Sequence, residues 1–468
     1  MKRWAPWGVL GCAAGIWWCL SPGSLAVLGA LLMTTWGLSR IADARKRRFL
    51  IRLFLAGFAV RAVLSLGLDV AAWVVTGGQP FRWERPAWSQ TQGAEDRTGR
   101  FLGMGDSDYY STRAYTMALY AKGVRGPVTL STAYRDTGPY GWNGYLYLLG
   151  LFYFLFGFSP FAIKLMTCWF GALIGPMLYA VGEIQFSPPI ARWAAILVAF
   201  FPSLVCWSAT NLKDIPFIVL TLALLLLFMS MRHAGAIRGR AIALGLFLIA
   251  LAAHVFLRQG FLSFSLVGCL AVSSWLVCRM PRTVKVAVVL VVGVSLAVCV
   301  HARLRPMLAG AFYYHLGHVR TPGDSYQYLP QQFFDPDYMA QWAEHGSIDV
   351  PVLMTVGKAA ALYLLEPLPG RVDTAFEILA YPQMVLWYFC LPLALWGMVV
   401  SLKTRPRDSL ALVLLLITWV FGVALRGGNI GTAFRMRDMV SPLVLLFACV
   451  GGWAVVHGTR AVESRRTS

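Results

Sequence analysis

Residues 215–230 read IPFIVLTLALLLLFMS, a run without a single charged side chain. Similar runs recur along the chain, for example at 241–257 and 286–300. About 20 apolar residues cross a bilayer as a helix, and a helix satisfies its own backbone hydrogen bonds inside the hydrocarbon. These runs therefore predict an all-α polytopic membrane protein.

The composition of the 468-residue chain agrees with this class. Hydrophobic residues make up 58% and charged residues 13%, against about 25% charged in a soluble domain. The net charge of +20 arises from Lys and Arg in short loops between the apolar runs, as cytoplasmic loops require. This distribution favours a membrane protein and excludes nucleic acid as a partner. The nine cysteines lie in or beside apolar runs, so no disulfide framework is expected.

The basic loops decide the topology. The cluster at 40–48 is predicted to be cytoplasmic, and the polar stretch 77–140 external. Residues 142–157 resemble a further span, but counting them would place every later basic loop outside. Their tyrosines suit a membrane interface. We therefore predict an interfacial helix there, inside a long first external loop at 77–159.

About twelve transmembrane helices follow, in one membrane domain (1–468) with both termini cytoplasmic. The predicted spans are 8–21, 23–38, 50–76, 160–181, 190–208, 214–231, 240–257, 260–278, 283–301, 378–402, 408–425 and 439–457. The predicted parts are an N-terminal hairpin with its basic loop (1–49), a catalytic module (50–301), a large external loop (302–377) and C-terminal helices (378–468).

The first candidate site is the external sequence GDSDYY at Gly105–Tyr110. Asp106 and Asp108 stand two residues apart just outside the membrane. Such a pair can bind a divalent cation or act as a general base. A solvated acidic turn is the alternative interpretation.

The second candidate site is NLKDIP at Asn211–Pro216, between two apolar runs. Asp214 is placed to cap the following helix and complement its dipole. Lys213 either has a functional role or extends toward the interface from the membrane edge.

Arginines on the outer side form a third group. Arg258 opposes the usual charge bias, and ionisable residues at such depth are functional candidates, with an interfacial arginine as the alternative. The stretch Arg426–Asp438 (RGGNIGTAFRMRD) carries Arg426, Arg435 and Arg437. Arginine binds phosphate through two parallel hydrogen bonds, and glycine admits close approach of a ligand. A structural turn is the other interpretation of this stretch.

Two features of the loop 302–377 remain. His315 and His318 have a spacing that can bind a metal on a helix, although Gly317 weakens this hypothesis. The loop is also rich in aromatic residues that can stack on sugars. These are Tyr313, Tyr314, Tyr326, Tyr328, Phe333, Phe334 and Trp342.

In order and spacing, residues 50–300 resemble the GT-C superfamily of membrane glycosyltransferases, which use polyprenyl-phosphate-linked sugars. In the protein mannosyltransferase and aminoarabinose transferase branches, an acidic residue in the first external loop is followed four positions later by an aromatic residue. Asp106 and Tyr110 match that arrangement. The resemblance therefore implies that Asp106 is the catalytic carboxylate, with Asp108 as the second choice.

Two further positions match the family pattern. Asp136 precedes the proline-led segment beginning at Pro139, but Thr137 replaces the lysine that follows the acid in the family. Asp214 resembles the second external acidic site, which would face Asp106.

The resemblance implies an enzyme that transfers a sugar to a glycan, lipid or protein acceptor at the outer face of the plasma membrane. Asp136, Asp214 and Tyr110 would contact the acceptor, and Mg²⁺ or Mn²⁺ on Asp106, Asp108 and Asp214 is left open. The residues expected to bind the lipid phosphate are Lys213, Arg258, Arg426, Arg435 and Arg437.

Two other functions remain open from the sequence. One is a polymerase or ligase of lipid-linked oligosaccharides, with the aromatic loop 302–377 binding the glycan. The other is a lipid or solute transporter, including a flippase. Transporters usually place charges near the bilayer midplane on broken helices, whereas most polar groups of this chain lie at the predicted outer edge.

Overall fold

The computed structural model describes residues 21–75, 105–124, 144–233, 237–257, 263, 265–271, 305–319, 325–368, 375–459 and 462. Regular structure in these residues is helical, with one isolated bridge between Ser325 and Asn429. The helices are α1 (Pro22–Ser39), α2 (Ala44–Val75), α3 (Gly105–Ala121), α4 (Gly144–Phe156), α5 (Pro160–Gln185), α6 (Pro188–Ala199), α7 (Pro202–Ser208), α8 (Asp214–His233), α9 (Ile237–Leu257), α10 (Pro336–His345), α11 (Val350–Leu365), α12 (Ala375–Thr404), α13 (Pro406–Ala424), α14 (Ile430–Arg437) and α15 (Ser441–His457). Residues 265–271 and 305–319 are also helical, and Gln331–Phe334 forms a 3₁₀ turn.

The predicted all-α membrane class is confirmed. In the described part of the chain, six helices are long and apolar enough to cross a membrane, and up to nine if each bent helix pair is one span. The predicted span 283–301 lies outside the described residues, as does nearly all of 8–21. The predicted span 260–278 is described only at 263 and 265–271.

The segment 302–377, predicted as an external loop, has its own helices. Helices α10 and α11 are together long and apolar enough to cross a membrane, but they meet at 111°. Asp335 and Asp349 begin them by accepting hydrogen bonds from Asp337 N and Val352 N, as N-cap residues do.

The chain forms two compact units. The N-terminal unit comprises Met1–Ile184 and Ala191–Gln259, and the C-terminal unit comprises Gln185–Ile190 and Gly260–Ser468. The predicted catalytic module, 50–301, therefore ends beyond the boundary of the first unit.

In the N-terminal unit, two ion pairs fix the directions of α2 and α5. Lys46, near the start of α2, pairs with Glu183, near the end of α5. Asp69, near the end of α2, pairs with Lys164, near the start of α5. The two helices are therefore antiparallel, and α2 ends on the side where α5 begins.

A buried arginine holds the break between α6 and α7, which meet at 53°. Pro202 starts α7 and lacks the N–H that would continue the helix. Arg61 of α2 is completely buried. Its Nη1 donates to Ala199 O at 2.8 Å and its Nε to Ser208 Oγ at 2.7 Å. Arg61 thus bridges the two halves of the bent segment.

In the C-terminal unit, α12 and α15 cross at two glycines. A Cβ atom on Gly397 would lie 1.9 Å from Phe447 O, and one on Gly451 would lie 2.0 Å from Leu393 O. Small residues that allow backbones to approach closely are typical of helix packing in membranes.

Candidate active site

The first candidate motif begins a helix. Helix α3 starts at Gly105, so the backbone of Asp106 and Asp108 is helical. The side chains of these two aspartates lie outside the described part of the structure. Ser107, between them, is buried, and its contacts show what adjoins the motif.

The residue that adjoins it is Asn211. Its Nδ2 donates to Ser111 Oγ at 2.9 Å and to Ser107 O at 3.3 Å, and its backbone N–H donates to Ser107 Oγ at 3.3 Å. Its Oδ1 accepts a hydrogen bond from Tyr145 Oη at 2.7 Å. Asn211 is 1% exposed, and buried polar groups are stable only when bonded in this way. This Asn211 network joins α3, α4 and the turn before α8.

Next to Asn211, the same turn carries a cation and a carboxylate. The Lys213 Nζ lies 5.7 Å from the ring centroid of Tyr110, within the range of cation–π attraction. The Tyr110 and Tyr145 rings meet edge to face at 5.8 Å. Asp214 begins α8 and is 2% exposed. Burial raises the pKa of Tyr145, and the Asp214 charge raises it further, so the phenol stays a neutral donor.

The structure therefore brings two of the candidate motifs together. The helix start that bears Asp106 and Asp108 adjoins the turn that bears Lys213 and Asp214. The other predicted residues are distributed differently. Asp136 and Arg258 lie outside the described residues, and Arg426, Arg435 and Arg437 belong to the C-terminal unit.

Arg437 is bonded within its own unit. It is 2% exposed, and its Nε and Nη2 donate to Tyr363 O at 3.1 and 2.8 Å. Nη2 also donates to Glu366 O, and Nη1 lies 2.8 Å from Met384 Sδ. The guanidinium thus binds carbonyl groups at the C-terminal end of α11, which carry partial negative charge.

The glycine turn before α14 also packs on its own chain. His315 Nδ1 donates to Gly427 O at 2.5 Å, and the backbone N–H of Tyr326 donates to Gly428 O at 2.9 Å. A Cβ on Gly427 would lie 2.2 Å from Tyr326 Oη. Close packing against His315 and Tyr326 therefore explains these glycines, independently of any ligand.

The His315–His318 pair was one candidate metal site. Burial lowers the pKa of His315 to about 4, and its Nδ1 is used by Gly427 O. Among the residues whose side chains are described, no group of three His, Cys, Asp or Glu could hold a metal ion. The Asp106 and Asp108 carboxylates are outside that set, so Mg²⁺ or Mn²⁺ at this pair stays a prediction.

Four of the seven candidate sugar-stacking aromatics are buried, and three of these four form a small core with Phe312. The Phe312 ring packs on Tyr328, Phe333 and Trp342 at centroid distances of 6.2, 5.4 and 5.3 Å. By contrast, Tyr313 and Tyr314 are each 49% exposed. Packing thus accounts for the buried aromatics of 302–377.

The sequence did not single out Asn211, Tyr145, Ser107 and Ser111 as a unit. One signal was present: serines four residues apart lie on one face of a helix. Asn211 gave a second, as an amide between two apolar runs. Their meeting depends on tertiary packing, which spacing alone does not predict.

Comparison with known protein families gives a match within the N-terminal two thirds of the chain. Residues 144–301 match the family model described as dolichyl-phosphate-mannose-protein mannosyltransferase. The matched region begins at the first residue of α4 and includes Tyr145, Asn211 and Asp214, whereas Asp106 precedes it. No curated protein matches the chain. Residues 144–301 thus carry the pattern of this GT-C-type family, and the predicted resemblance of the chain to GT-C membrane glycosyltransferases is confirmed.

Proposed function

We propose that the protein transfers a sugar from a polyprenyl-phosphate-linked donor to an acceptor hydroxyl at the outer face of the plasma membrane. The observation that carries this proposal is the Asn211 network. It joins the start of α3, which bears the predicted base, to the Lys213–Asp214 turn inside the region that matches the family.

The directions of the helices support the proposed topology. Asp69 pairs with Lys164, so the chain leaves α2 and enters α5 at the same end. The chain between them must cross the membrane an even number of times or not at all. Helix α4 has 13 residues and is about 20 Å long, short of the roughly 30 Å hydrocarbon core. This favours an external helix at 142–157 and the twelve-span arrangement.

In the proposed reaction, Asp106 acts as general base. The acceptor oxygen bonds to the anomeric carbon while the bond from that carbon to the phosphate oxygen breaks. The acceptor proton passes to the Asp106 carboxylate, and the lipid phosphate leaves with the bonding electron pair. Direct displacement of this kind inverts the anomeric centre. Asp108, Asp136 and Asp214 would position the acceptor, with Tyr110 against Lys213.

Cationic residues would stabilise the leaving phosphate as its charge develops. We propose this role for Lys213 and Arg258. The same role for Arg426 and Arg435, which belong to the C-terminal unit, stays a prediction from the sequence. Phosphate binding is also predicted for Arg437. Its hydrogen bonds to Tyr363 O and Glu366 O favour a structural role instead, in which Arg437 attaches α14 to the end of α11.

The lipid-linked sugars that accumulate in cells lacking the protein provide a test of this function. Mass spectrometry of their lipid extract should show an accumulated polyprenyl-phosphate-linked sugar, which expression of the wild type removes and Asp106→Asn does not. An accumulated oligosaccharide donor would instead indicate a polymerase or ligase. Substrate movement across proteoliposomes without covalent product would indicate a transporter.

A further inference from the structure

A groove lies at the other end of α2, away from the Asn211 network. It has a volume of about 450 Å³ and is open to the surroundings of the N-terminal unit. Its lining is Arg45, Arg48, Phe49, Arg52, Leu53, Ala56 and Phe200. None of these residues belongs to the proposed catalytic machinery.

The rim of the groove is cationic. Arg45, Arg48 and Arg52 recur at positions that share one face of α2, and all three are exposed. Arg192 adds a fourth cation, 5.8 Å from the Phe49 ring. Two carboxylates lie nearby. Asp43 Oδ1 accepts from the backbone N–H groups of Arg45 and Lys46, and Glu183 pairs with Lys46. The Lys46–Glu183 pair is neutral, so Arg45, Arg48, Arg52 and Arg192 face Asp43 alone and the rim is positive.

The floor of the groove is apolar and extends into the membrane span. Leu53 is buried, whereas Ala56 and Phe200 are exposed along the groove. From Arg45 to Ala56 the helix rises about 16 Å, roughly half of a bilayer's hydrocarbon thickness. The groove therefore has charge at the interface and apolar surface toward the midplane.

We propose that this groove binds one anionic phospholipid of the cytoplasmic leaflet. Its phosphate would lie against Arg45, Arg48 and Arg52, since guanidinium groups bind phosphate through paired hydrogen bonds. An acyl chain would lie on Phe49, Ala56 and Phe200. Basic pockets between transmembrane helices on the cytoplasmic side bind anionic headgroups. The positive rim matches the charge of the headgroup, and the apolar floor matches the acyl chain.

Native mass spectrometry of the purified full chain tests the proposal. The protein is incubated with equal amounts of phosphatidylglycerol and phosphatidylcholine, and retained lipid is counted. The wild type should retain phosphatidylglycerol preferentially. The triple variant Arg45→Gln, Arg48→Gln, Arg52→Gln should retain at least about tenfold less phosphatidylglycerol than the wild type.

A matched variant distinguishes binding in this groove from nonspecific attraction of anionic lipid to positive charge. The triple variant Arg232→Gln, Arg238→Gln, Arg240→Gln removes the same charge from the end of α8 and the start of α9, where all three side chains are exposed. It should retain phosphatidylglycerol as the wild type does. Equal loss in both variants, equal retention of phosphatidylcholine, or displacement of phosphatidylglycerol by an equal amount of polyprenyl phosphate would overturn the proposal.

A second variant keeps the test decisive if the triple variant does not fold. Ala56→Trp fills the apolar floor without changing charge and should reduce phosphatidylglycerol retention. If Ala56→Trp folds with a wild-type unfolding temperature and retains the lipid fully, the acyl chain does not lie in this groove and the proposal is wrong.

Discussion

Tyr145 donates a 2.7 Å hydrogen bond to the side-chain oxygen of Asn211, so helix α4 is tied to the turn that precedes α8. Asn211 in turn donates hydrogen bonds to the hydroxyl groups of Ser107 and Ser111 in α3. Three segments far apart in sequence thus share one buried amide. In the proposed enzyme this amide sets the position of the helix start that carries Asp106.

Tyr145→Phe removes one bond of the network and leaves the Asn211 oxygen buried without that donor. An unsatisfied buried acceptor costs about 1–3 kcal/mol, so the unfolding temperature should fall. The sugar-transfer rate should fall about tenfold, because the helix start that carries Asp106 is then held less firmly. The measurement is transfer in membranes at equal protein level. Tyr115→Phe, in α3, keeps its ring contacts with Tyr153 and Phe158; it is the control and should leave both quantities unchanged.

Arg61→Met should destabilise the N-terminal unit. The change leaves the Ala199 carbonyl and the Ser208 hydroxyl without the guanidinium, and hydrogen bonds to charged groups contribute about 1.5–3 kcal/mol each. Thermal unfolding in detergent should therefore begin at a clearly lower temperature. Arg238→Met alters an exposed arginine and should unfold as the wild type. An unchanged unfolding temperature for Arg61→Met would show that Arg61 does not hold the α6–α7 break.

Adjacent glycines in α15 provide a matched pair. In Gly451→Ala the new methyl group would meet Leu393 O at 2.0 Å, so α12 and α15 must separate, at a cost of about 1–3 kcal/mol or more. In Gly452→Ala no heavy atom lies within 4 Å of the new Cβ, and higher helix propensity should stabilise slightly. Unfolding temperatures measured side by side should order as Gly452→Ala at or above wild type, and Gly451→Ala well below. The reverse order would refute the glycine crossing.

The stability of the C-terminal unit should depend on pH through His315. Burial lowers its folded pKa from 6.5 to about 4, so below pH 6.5 the unfolded chain binds a proton that the folded chain excludes. Stability is therefore fully present above pH 6.5 and falls as the pH drops from 6.5 toward 4. The total loss should be about 3 kcal/mol.

His315→Asn keeps an N–H donor for Gly427 O but does not titrate. Its unfolding temperature should lose this dependence between pH 6.5 and 4, whereas the control His345→Asn, at an exposed histidine, should retain it. An identical pH profile in wild type and His315→Asn would contradict the assignment.

The sequence predicts the helical membrane class because hydrophobicity alone forces it. It also predicts an interfacial helix at 142–157 from the charge of the later loops, and this stays a prediction. By contrast, it missed the helices within 302–377. Segments such as Pro336–His345 are too polar or too short to read as spans. Trp342 of this helix instead packs on Phe312 and Phe333.

For the site, spacing and residue type predict candidates but not their partners. Charge at a membrane edge makes Lys213 and Asp214 candidates, and the structure joins their turn to α3. Charge on the predicted outer side also makes Arg437 a candidate, yet its guanidinium binds carbonyl groups at the end of α11. The difference arises from burial and tertiary packing, and loop position alone does not reveal either.

Sugar transfer by Asp106→Asn is the measurement that tests the central claim most directly. Membranes with equal amounts of each variant are supplied with polyprenyl-phosphate-linked radiolabelled mannose, the donor type suggested by the family match, and transfer to endogenous acceptor is measured. Loss of a general base costs about 10²–10⁴-fold. Asp106→Asn should therefore fall by at least about a hundredfold, while Asp337→Asn, at an exposed aspartate, should match the wild type. Near-normal transfer by Asp106→Asn would contradict the account.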